Sequence, residues 1–402
     1  VYKRQAKMRK FVDGAPALCY NFLMKNCEDI VSLSEKFGIN AEYKSEDFYP
    51  VFRAAAAGMR ILVLADKNTA RYAEPFCKEL CARGLNAALF VIPEEEPVAD
   101  EKTCGLVYDG LKGFDYVLAV GSGTLNDIAK YTSFHAGKKC GVLATAASMD
   151  GFTSGVTPLI KNGFKITENA HTVSDILIDF DILCSAPKIM TGAGAGDILA
   201  KFCCLTDWKM SHLLNGEAYN EEAASLMRVA LEECVANIES IKTCGREGIG
   251  SLMRALLISG YAMVIAGNSR PASGAEHHMS HFLEMDFLRR GERIPLHGIK
   301  VGLGTLVSLR MYKRVKEIPQ DFAGKDTVVA LAEGLPEPGW VASVLSSLGC
   351  PTRFSQIGVS EDTVRDMLFH CCKIRDRFTI MTLYNKYDLM KGAADELIGL
   401  YY

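Results

Sequence analysis

The feature that most constrains the fold of this 402-residue chain is the alternation of short apolar runs with helical stretches in its first half. Runs rich in aliphatic and β-branched residues predict strands at residues 60–66, 87–92, 116–120, 141–145 and 174–180. Between several of them, residues 69–83, 101–112 and 125–134 have the spacing of amphipathic helices. Strands separated by helices of this length form βαβ units, which indicate a parallel sheet. A Lys161-Asn162-Gly163 turn within residues 158–167 predicts an added hairpin.

The pattern of apolar residues changes after Pro187, where long stretches have them at helical spacing. These stretches predict helices at residues 197–214, 221–241, 251–265, 274–287 and 301–315, with further helices within residues 364–397. We therefore predict two domains, an α/β dinucleotide-binding domain in residues 1–186 and an all-α domain in residues 187–402. The boundary is expected near residues 185–192.

Charge and cysteine usage exclude several classes of protein. The formal net charge is −3, so nothing favours a nucleic-acid partner. No apolar run reaches the roughly 18 residues of a membrane span, so none is expected. The 14 cysteines include adjacent pairs and no CxxC pair, which favours reduced thiols in a cytoplasmic protein. The chain starts VYKRQAKMRK without Met and without a following signal-peptide segment, so we expect its natural N-terminus upstream.

A glycine-containing turn in the first half is a candidate nucleotide site. GSGTLNDIAK begins at Gly121, directly after a predicted strand, and opens a predicted helix. Small residues let backbone N–H groups approach a pyrophosphate, and a helix N-terminus favours the negative charge. Asp66 ends another strand, where a carboxylate can accept both ribose hydroxyls and repel a 2′-phosphate, which favours NAD over NADP. An ordinary tight turn and a helix-capping Asp66 are the simpler alternatives.

A second polar loop, TAASMDGFTSG, starts at Thr145 and follows the predicted strand at residues 141–145. Loops at the carboxyl ends of parallel strands are where open sheets bind ligands. This loop is rich in hydroxyl groups and carries one carboxylate, Asp150. A capped turn is the alternative.

Asp197, His277 and His297 form a candidate mononuclear metal site in the second half. One carboxylate and two imidazoles are a borderline-hard ligand set that leaves coordination positions open for catalysis. His281 is one helical turn after His277 and shares its face, so it is either a fourth ligand or a substrate-binding and proton-relaying group. His278 points about 100° away and is not expected in the site. The remaining candidates, His135, His171 and His212, are interpreted as structural.

Together these motifs resemble a superfamily of iron-containing alcohol dehydrogenases, glycerol dehydrogenases and dehydroquinate synthases, and most of all the bacterial sn-glycerol-1-phosphate dehydrogenases. The resemblance runs from about Arg60 to Val307 and is carried by GSGTLND, TAASMDGFTSG, GAGAGD, SRPASGAEHHMSH and LHGIKVGLGT. It implies a Rossmann-like domain, a helical domain and an active site in the cleft between them. Relatives often have three glycines where this chain has Gly121-Ser122-Gly123.

The resemblance also implies roles for individual residues. Asp197, His277 and His297 would bind the metal, and Asp197 would also approach substrate oxygens. Asp150 and His281 would contact substrate. The residues implied to hold NAD are Asp66, Gly121, Ser122, Gly123, Thr124, Leu125, Thr145, Ala146, Ala147, Ser148 and Ser154.

The predicted function is a metal-dependent, NAD(H)-linked interconversion of dihydroxyacetone phosphate and sn-glycerol 1-phosphate by hydride transfer at C2. Zn²⁺, Ni²⁺ and Fe²⁺ all suit the ligands. Arg270 and Lys165 are the candidate cations for the substrate phosphate. Alternatives are a glycerol or simple-alcohol dehydrogenase, a dehydroquinate-synthase-like lyase and a nucleotide-binding module with a structural metal. A homodimer or larger homo-oligomer is the default expectation.

Overall fold

The computed structural model describes residues 30–402, and expectations about the chain start fall on residues 1–29, outside that range. Within it, six parallel strands form one sheet in the order β1-β8-β5-β4-β2-β3. An antiparallel hairpin, β6-β7, stands apart. The strands are β1 (Asn40–Tyr43), β2 (Arg60–Ala65), β3 (Asn86–Val91), β4 (Tyr116–Gly121), β5 (Lys139–Ala144), β6 (Val156–Lys161), β7 (Phe164–Asn169) and β8 (Asp175–Ile178).

The central strands are apolar throughout because both faces of the sheet are covered. Ile61 and Val63 of β2 belong to the core on one face, whereas Leu62 and Leu64 belong to the core on the other. Parallel strands buried on both faces read as continuous apolar runs, which is why the pattern predicted them correctly. Strand β1 was not predicted. It is four residues long and pairs only at the sheet edge with β8, so it carries no comparable apolar run.

Helices of the first half alternate with the strands, and those at residues 70–82, 101–110 and 123–135 were predicted. The helices of this half are α1 (Ile30–Glu35), α2 (Pro50–Ala55), α3 (Ala70–Ala82), α4 (Glu101–Gly110), α5 (Gly123–His135) and α6 (Phe180–Cys184). The hairpin turn also has the expected form, because Asn162 and Gly163 both have positive φ, as a two-residue type I′ turn requires.

From Lys188 onward, the described residues form helices joined by loops and short 3₁₀ turns. The helices are α7 (Lys188–Leu199), α8 (Lys201–Asn215), α9 (Glu221–Ala236), α10 (Ile238–Lys242), α11 (Arg246–Ala266), α12 (Ala275–Arg290), α13 (His297–Arg314), α14 (Lys325–Glu333), α15 (Pro338–Ser347), α16 (Glu361–His370), α17 (Ile380–Lys386) and α18 (Ala394–Tyr401). The α/β half followed by a helical half agrees with the predicted fold class. The exact division at residues 186 and 187 stays a prediction.

Two predicted helices are each divided in the structure. The helix predicted at residues 221–241 forms α9 and α10, which are separated at Asn237. The single helix predicted at residues 197–214 is two helices that meet at Ala200, and the first begins nine residues earlier than expected, at Lys188. The sequence KIMTGAGAGD is rich in glycine, which has poor helix propensity, so the early turns were not recognised. Tertiary packing stabilises them instead, since Thr191 through Leu199 are all buried.

Two helical stretches are long and apolar enough to cross a membrane by length and composition alone, Lys188–Asn215 and Arg246–Ala266. Of their most apolar windows, 89% and 72% are buried inside the protein. Helices that are apolar on all sides and covered by protein are typical of a large core. Within residues 30–402 the cysteines are free thiols, in agreement with their interpretation as reduced.

Candidate active site

The predicted nucleotide loops lie together at the carboxyl edge of the parallel sheet. Thr145 follows β5 and donates its backbone N–H to the Gly121 carbonyl at the end of β4, 3.0 Å away. Asp66 follows β2, the neighbour of β4 on its other side. The chain runs outward from β2 to β3 and then returns to β4, so the strand order reverses between β2 and β4. Such a switch point is where doubly wound sheets bind ligands.

Hydroxyl groups fix the two loops to each other. Ser122 directly precedes α5, and its Oγ is 2.5 Å from Ser148 Oγ of the second loop. Farther along the second loop, the buried Lys130 ammonium donates to Ser154 Oγ at 3.0 Å and to the Val156 carbonyl at 2.8 Å. Lys130 therefore fixes the conformation of the second loop. Ser154 of this loop lines the cavity described below.

Asp66 has the contacts of a cap. Its Oδ1 accepts hydrogen bonds from the Thr69 backbone N–H at 2.7 Å and from Thr69 Oγ1 at 2.9 Å. This satisfies the start of α3, as the simpler alternative predicted. Both bonds end on one oxygen, and the side chain is only partly buried, so its other oxygen stays open to a ligand.

Asp197, His277 and His297 are brought together from three helices. Each offers a ligand atom, and these atoms all lie within 4.8 Å of one another. Asp197 is in α7, His277 is in the first turn of α12, and His297 is the first residue of α13. His277 Nε2 is 3.8 Å from Asp197 Oδ1, and the two imidazole rings are 5.2 Å apart between centroids. Residues a hundred positions apart thus converge on one point.

Glycines make this convergence possible. A Cβ at Gly298 would overlap the Ala193 carbonyl of α7, and a Cβ at Gly196 would meet the Gly298 carbonyl. A Cβ at Gly194 would likewise overlap the Ala147 carbonyl of the second loop. The glycines of GAGAGD and LHGIKVGLG therefore act by allowing backbones to touch, which places Asp197 beside the start of α13.

A buried carboxylate orients His277. Glu276 Oε1 is 2.8 Å from His277 Nδ1 and also accepts the Gly274 backbone N–H at 2.7 Å. In the tautomer with the proton on Nδ1, the Nε2 lone pair is available on the side of Asp197. Carboxylate–histidine pairs of this kind fix the tautomer and ring orientation of metal ligands. Burial lowers the pKa of His277 well below its ordinary value, so the imidazole is neutral, as a ligand must be.

His281 is next to this trio but outside it. Its Nδ1 is 3.0 Å from Glu284 Oε2. Glu284 is 2.8 Å from Lys165 Nζ, 3.3 Å from Lys300 Nζ and 3.8 Å from His297 Nδ1. Although burial opposes its ionisation, the two ammonium groups hold the pKa of Glu284 well below its usual range. Burial lowers the pKa of His281 to about 4, so its ring is neutral at pH 7.

Asp150 is held through one oxygen of its carboxylate. Its Oδ2 accepts from Lys201 Nζ at 2.6 Å and from Ser259 Oγ at 2.7 Å. Lys201 also donates to Asp197 Oδ1 at 3.0 Å, and the Asp150 backbone N–H donates to Asp197 Oδ2 at 3.1 Å. Burial favours neutral forms here, but the ion pairs outweigh it, raising the pKa of Lys201 and lowering that of Asp150. These contacts help to orient Asp197, and the contact of Asp150 with substrate stays a prediction.

A cavity of about 770 Å³ opens beside His281. Its walls come from the second loop, from the β6-β7 hairpin, from the end of α11 and from the segment before α17. Ser154, Lys165 and His281 line it, together with two arginines that were not predicted, Arg375 and Arg377. This volume suits a small molecule with part of a cofactor.

The prediction that Arg270 binds the substrate phosphate is wrong. Its Nε and Nη2 form a two-pronged ion pair with Glu217 at 2.8 and 2.9 Å, and Nη2 also donates to the Phe378 carbonyl at 2.7 Å. Arg270 is only 3% exposed and is not among the residues lining the cavity. Because Arg270 is buried, paired with Glu217 and absent from the cavity wall, it is not placed to bind a phosphate in this cavity.

We expect Arg270→Gln to lower the free energy of unfolding by about 2 kcal/mol, because the substitution breaks a mostly buried ion pair and leaves Glu217 without its partner. Arg254→Gln is the matched control, since Arg254 pairs with Glu233 where their side chains are 32% and 24% exposed. That pair should contribute less than about 1 kcal/mol. Urea unfolding of both variants measures the difference, and equal midpoints would contradict the structural role of Arg270.

Sequence reasoning missed five residues at this site. Lys201 lies one helical turn after Asp197, and Glu284 lies three residues after His281, so helical spacing could have found both. Glu276 directly precedes His277 and could have been examined as its partner. Nothing in the sequence pointed to the arginines at 375 and 377, which reach the cavity only in the folded chain.

Comparison with known proteins identifies the fold. The family model described as iron-containing alcohol dehydrogenase matches residues 46–187. Among solved structures, a probable glycerol dehydrogenase from Sinorhizobium meliloti is similar with a TM-score of 0.64 at 18% identity, covering 89% of this chain and 96% of that one. An NADH-dependent butanol dehydrogenase A from Thermotoga maritima also has a TM-score of 0.64, at 12% identity, with 90% and 96% covered. These likenesses show the fold.

Sequence relatives are closer. The chain is 38% identical to the glycerol-1-phosphate dehydrogenase (NAD(P)+) of Bacillus velezensis, over 81% of this chain and 85% of the relative. It is 35% identical to the enzyme of the same name from Bacillus subtilis, over 81% and 85%. For the one from Aeropyrum pernix the identity is 31%, over 81% and 86%. With such identity across most of its length, the chain belongs to the glycerol-1-phosphate dehydrogenase family.

Proposed function

We propose that this protein is a metal-dependent, NAD(H)-linked dehydrogenase that interconverts dihydroxyacetone phosphate and sn-glycerol 1-phosphate. The observation that carries the proposal is the convergence of Asp197, His277 and His297 within 4.8 Å. His281, one helical turn after His277, lines a cavity. The relatives' names, glycerol-1-phosphate dehydrogenase acting with NAD(P)+, supply the substrate and the reaction type.

The three side chains fit a divalent cation. One carboxylate and two neutral imidazoles leave open positions, and the ligand set suits Zn²⁺, Ni²⁺ and Fe²⁺ alike. Asp197 keeps its orientation through Lys201 and the Asp150 backbone N–H, and His277 keeps its orientation through Glu276. When bound, the cation would polarise the substrate carbonyl and NADH would supply the hydride.

His281 is the proposed proton carrier. Its neutral ring can donate a hydrogen bond from Nδ1–H to Glu284. The Nε2 lone pair is then free to accept a proton from a substrate hydroxyl, directly or through a water. The imidazolium formed in this way would be stabilised by the Glu284 carboxylate at 3.0 Å. In the reducing direction the same Nε2 returns the proton to the product oxygen.

The sheet edge is the proposed cofactor site. The N-terminus of α5 and the loop after β5 would hold the pyrophosphate through Gly121, Ser122, Gly123, Thr124 and Leu125 and through Thr145, Ser148 and Ser154. The open oxygen of Asp66 would accept ribose hydroxyls and disfavour a 2′-phosphate, so we propose a preference for NADH over NADPH. We further propose a cytoplasmic homodimer or larger homo-oligomer without a membrane span or nucleic-acid partner.

A parallel assay tests the proposal. Purified metal-loaded protein is mixed with NADH and dihydroxyacetone phosphate, dihydroxyacetone or acetaldehyde, and NADH oxidation is followed. We expect dihydroxyacetone phosphate to be preferred by about 100-fold in kcat/KM, since charge-assisted hydrogen bonds to phosphate are available only to it. Chiral analysis should give sn-glycerol 1-phosphate, and a chelator should abolish turnover.

Other outcomes separate the alternatives. Preference for an unphosphorylated substrate would indicate a polyol or alcohol dehydrogenase. A lyase that uses NAD transiently would consume no net NADH while it releases phosphate. If metal-loaded protein oxidised no NADH with any of the three compounds, the dehydrogenase proposal would be overturned.

A further inference from the structure

We propose that Arg375 and Arg377, assisted by Lys165, form the site that binds the substrate phosphate. This inference rests on the proposed function for the identity of the substrate, and on the structure for the anion site. It replaces the earlier candidate Arg270, which is committed to Glu217.

The two arginines carry charge that the protein does not neutralise. Arg375 donates to Ser269 Oγ at 3.4 Å and to Thr167 Oγ1 at 3.2 Å. Arg377 donates to Ser269 Oγ at 2.9 Å and to the Ser273 carbonyl at 3.2 Å. All of these acceptors are neutral oxygens. Among residues 30–402, neither guanidinium forms a salt bridge with a carboxylate, unlike most arginines of the helical half.

Both side chains are partly buried, so holding two guanidinium charges there without a carboxylate partner is unfavourable. Burial lowers the pKa of Arg375, and burial together with the neighbouring charges of Arg375 and Arg270 lowers the pKa of Arg377 to about 10. Desolvated cations side by side are unfavourable unless a negative group joins them. A phosphate between them would supply that group.

The cavity in front of the arginines has the matching electrostatics. Its described lining includes Lys165, Arg375 and Arg377 as cations and contains no carboxylate. Lys165 is paired with Glu284, but Glu284 is shared with the Lys300 ammonium, so this group of three also carries net positive charge. The cavity wall therefore favours an anion over a neutral polyol.

The location also suits the proposed substrate. Arg375 spans from the segment before α17 to the β6-β7 hairpin, so it closes one side of the cavity. His281 lines the same cavity and lies one helical turn from His277 in α12. A phosphate held by the arginines would thus direct its three-carbon chain toward His281 and the metal ligands. Planar guanidinium groups can bind two phosphate oxygens each, which gives orientation as well as affinity.

The test uses the metal-loaded full-length protein with Arg375→Gln, Arg377→Gln and the double variant. We expect the KM for dihydroxyacetone phosphate to rise about tenfold in each single variant and about 100-fold in the double variant. The kcat/KM for dihydroxyacetone and the KM for NADH should stay within about threefold of the unmodified protein. Inhibition by inorganic phosphate should weaken in parallel. Arg375→Lys and Arg377→Lys should recover part of the affinity, because they keep the charge without the planar fork.

Arg289→Gln is the matched control, since the Arg289 side chain is 79% exposed and pairs with Asp286 on the same helix. It should leave every constant unchanged. Equal losses with dihydroxyacetone phosphate and dihydroxyacetone would overturn the phosphate assignment and indicate a purely structural role. A rise in the KM for NADH alone would overturn it in favour of a cofactor contact.

Calorimetry with inorganic phosphate separates this inference from the proposed function. If the unmodified protein binds phosphate and the double variant does not, the anion site is established even where dihydroxyacetone phosphate proves not to be a substrate. If both proteins bind phosphate equally, the anion site is wrong even where the dehydrogenase activity is confirmed.

Discussion

His277→Ala is expected to lose its bound metal and at least about 10³-fold in kcat/KM for dihydroxyacetone phosphate. A Lewis acid contributes several kcal/mol of charge stabilisation in a carbonyl reduction, and each 1.36 kcal/mol is a factor of ten in rate. The His277 side chain is also held by a buried carboxylate partner, Glu276, at 2.8 Å. Removing the ring therefore removes a metal ligand and leaves the buried Glu276 side chain without its hydrogen-bond partner.

Metal analysis after gel filtration and steady-state kinetics measure this result. His135→Ala serves as the control, because His135 is an exposed histidine near the end of α5 and outside the site. Thermal unfolding without metal shows whether the variant still folds. Full activity of a folded His277→Ala protein after dialysis against a chelator would disprove the metal assignment.

Gly298→Ala is expected to have the second-largest effect, although it removes no functional group. The added methyl group would overlap the Ala193 carbonyl of α7. Relieving the overlap requires the backbones of two packed helices to separate. Overpacking of this kind costs about 1–3 kcal/mol or more. Because Gly298 is next to His297, separation of α7 from α13 would also move His297 away from Asp197. We expect lower thermal stability and about 100-fold weaker metal binding, comparable to loss of an orienting contact.

The control for this prediction is Gly339→Ala. Gly339 is in the first turn of α15, and a Cβ there has no atom within 4 Å. Alanine has the better helix propensity, so this variant should be neutral or slightly more stable. Thermal unfolding and competitive metal titration distinguish the two glycines. Equal metal affinity in both variants would contradict the view that the α7–α13 contact sets the site.

Much of the first half was predictable because its signals are local. The apolar runs of β2 and β4 and the Asn162-Gly163 turn are determined by neighbouring residues, and they were confirmed. The start of α7 was not predictable by the same reasoning. Its glycines disfavour an isolated helix, and only contact with α13 and the second loop stabilises it.

The ligand residues could be predicted from the sequence, since one Asp and two His in glycine-rich segments suggest a metal site. The spacing of His277 and His281 also predicted that they share a helix face. The residues alone left open whether His281 is a fourth ligand, and the resemblance implied a contact with substrate. The answer depends on Glu284, which holds His281 at 3.0 Å and lies in the same buried cluster as Lys165 and Lys300.

By itself, the amino-acid sequence determined the βαβ half, the helical half and the types of side chain available for catalysis. Only the tertiary structure decided which charges are already neutralised. Arg270 and Arg377 look alike in sequence, but Arg270 meets Glu217 whereas Arg377 meets only neutral oxygens. The physical reason is that a side chain's free charge depends on partners brought near by folding, and those partners are more than fifty residues away along the chain.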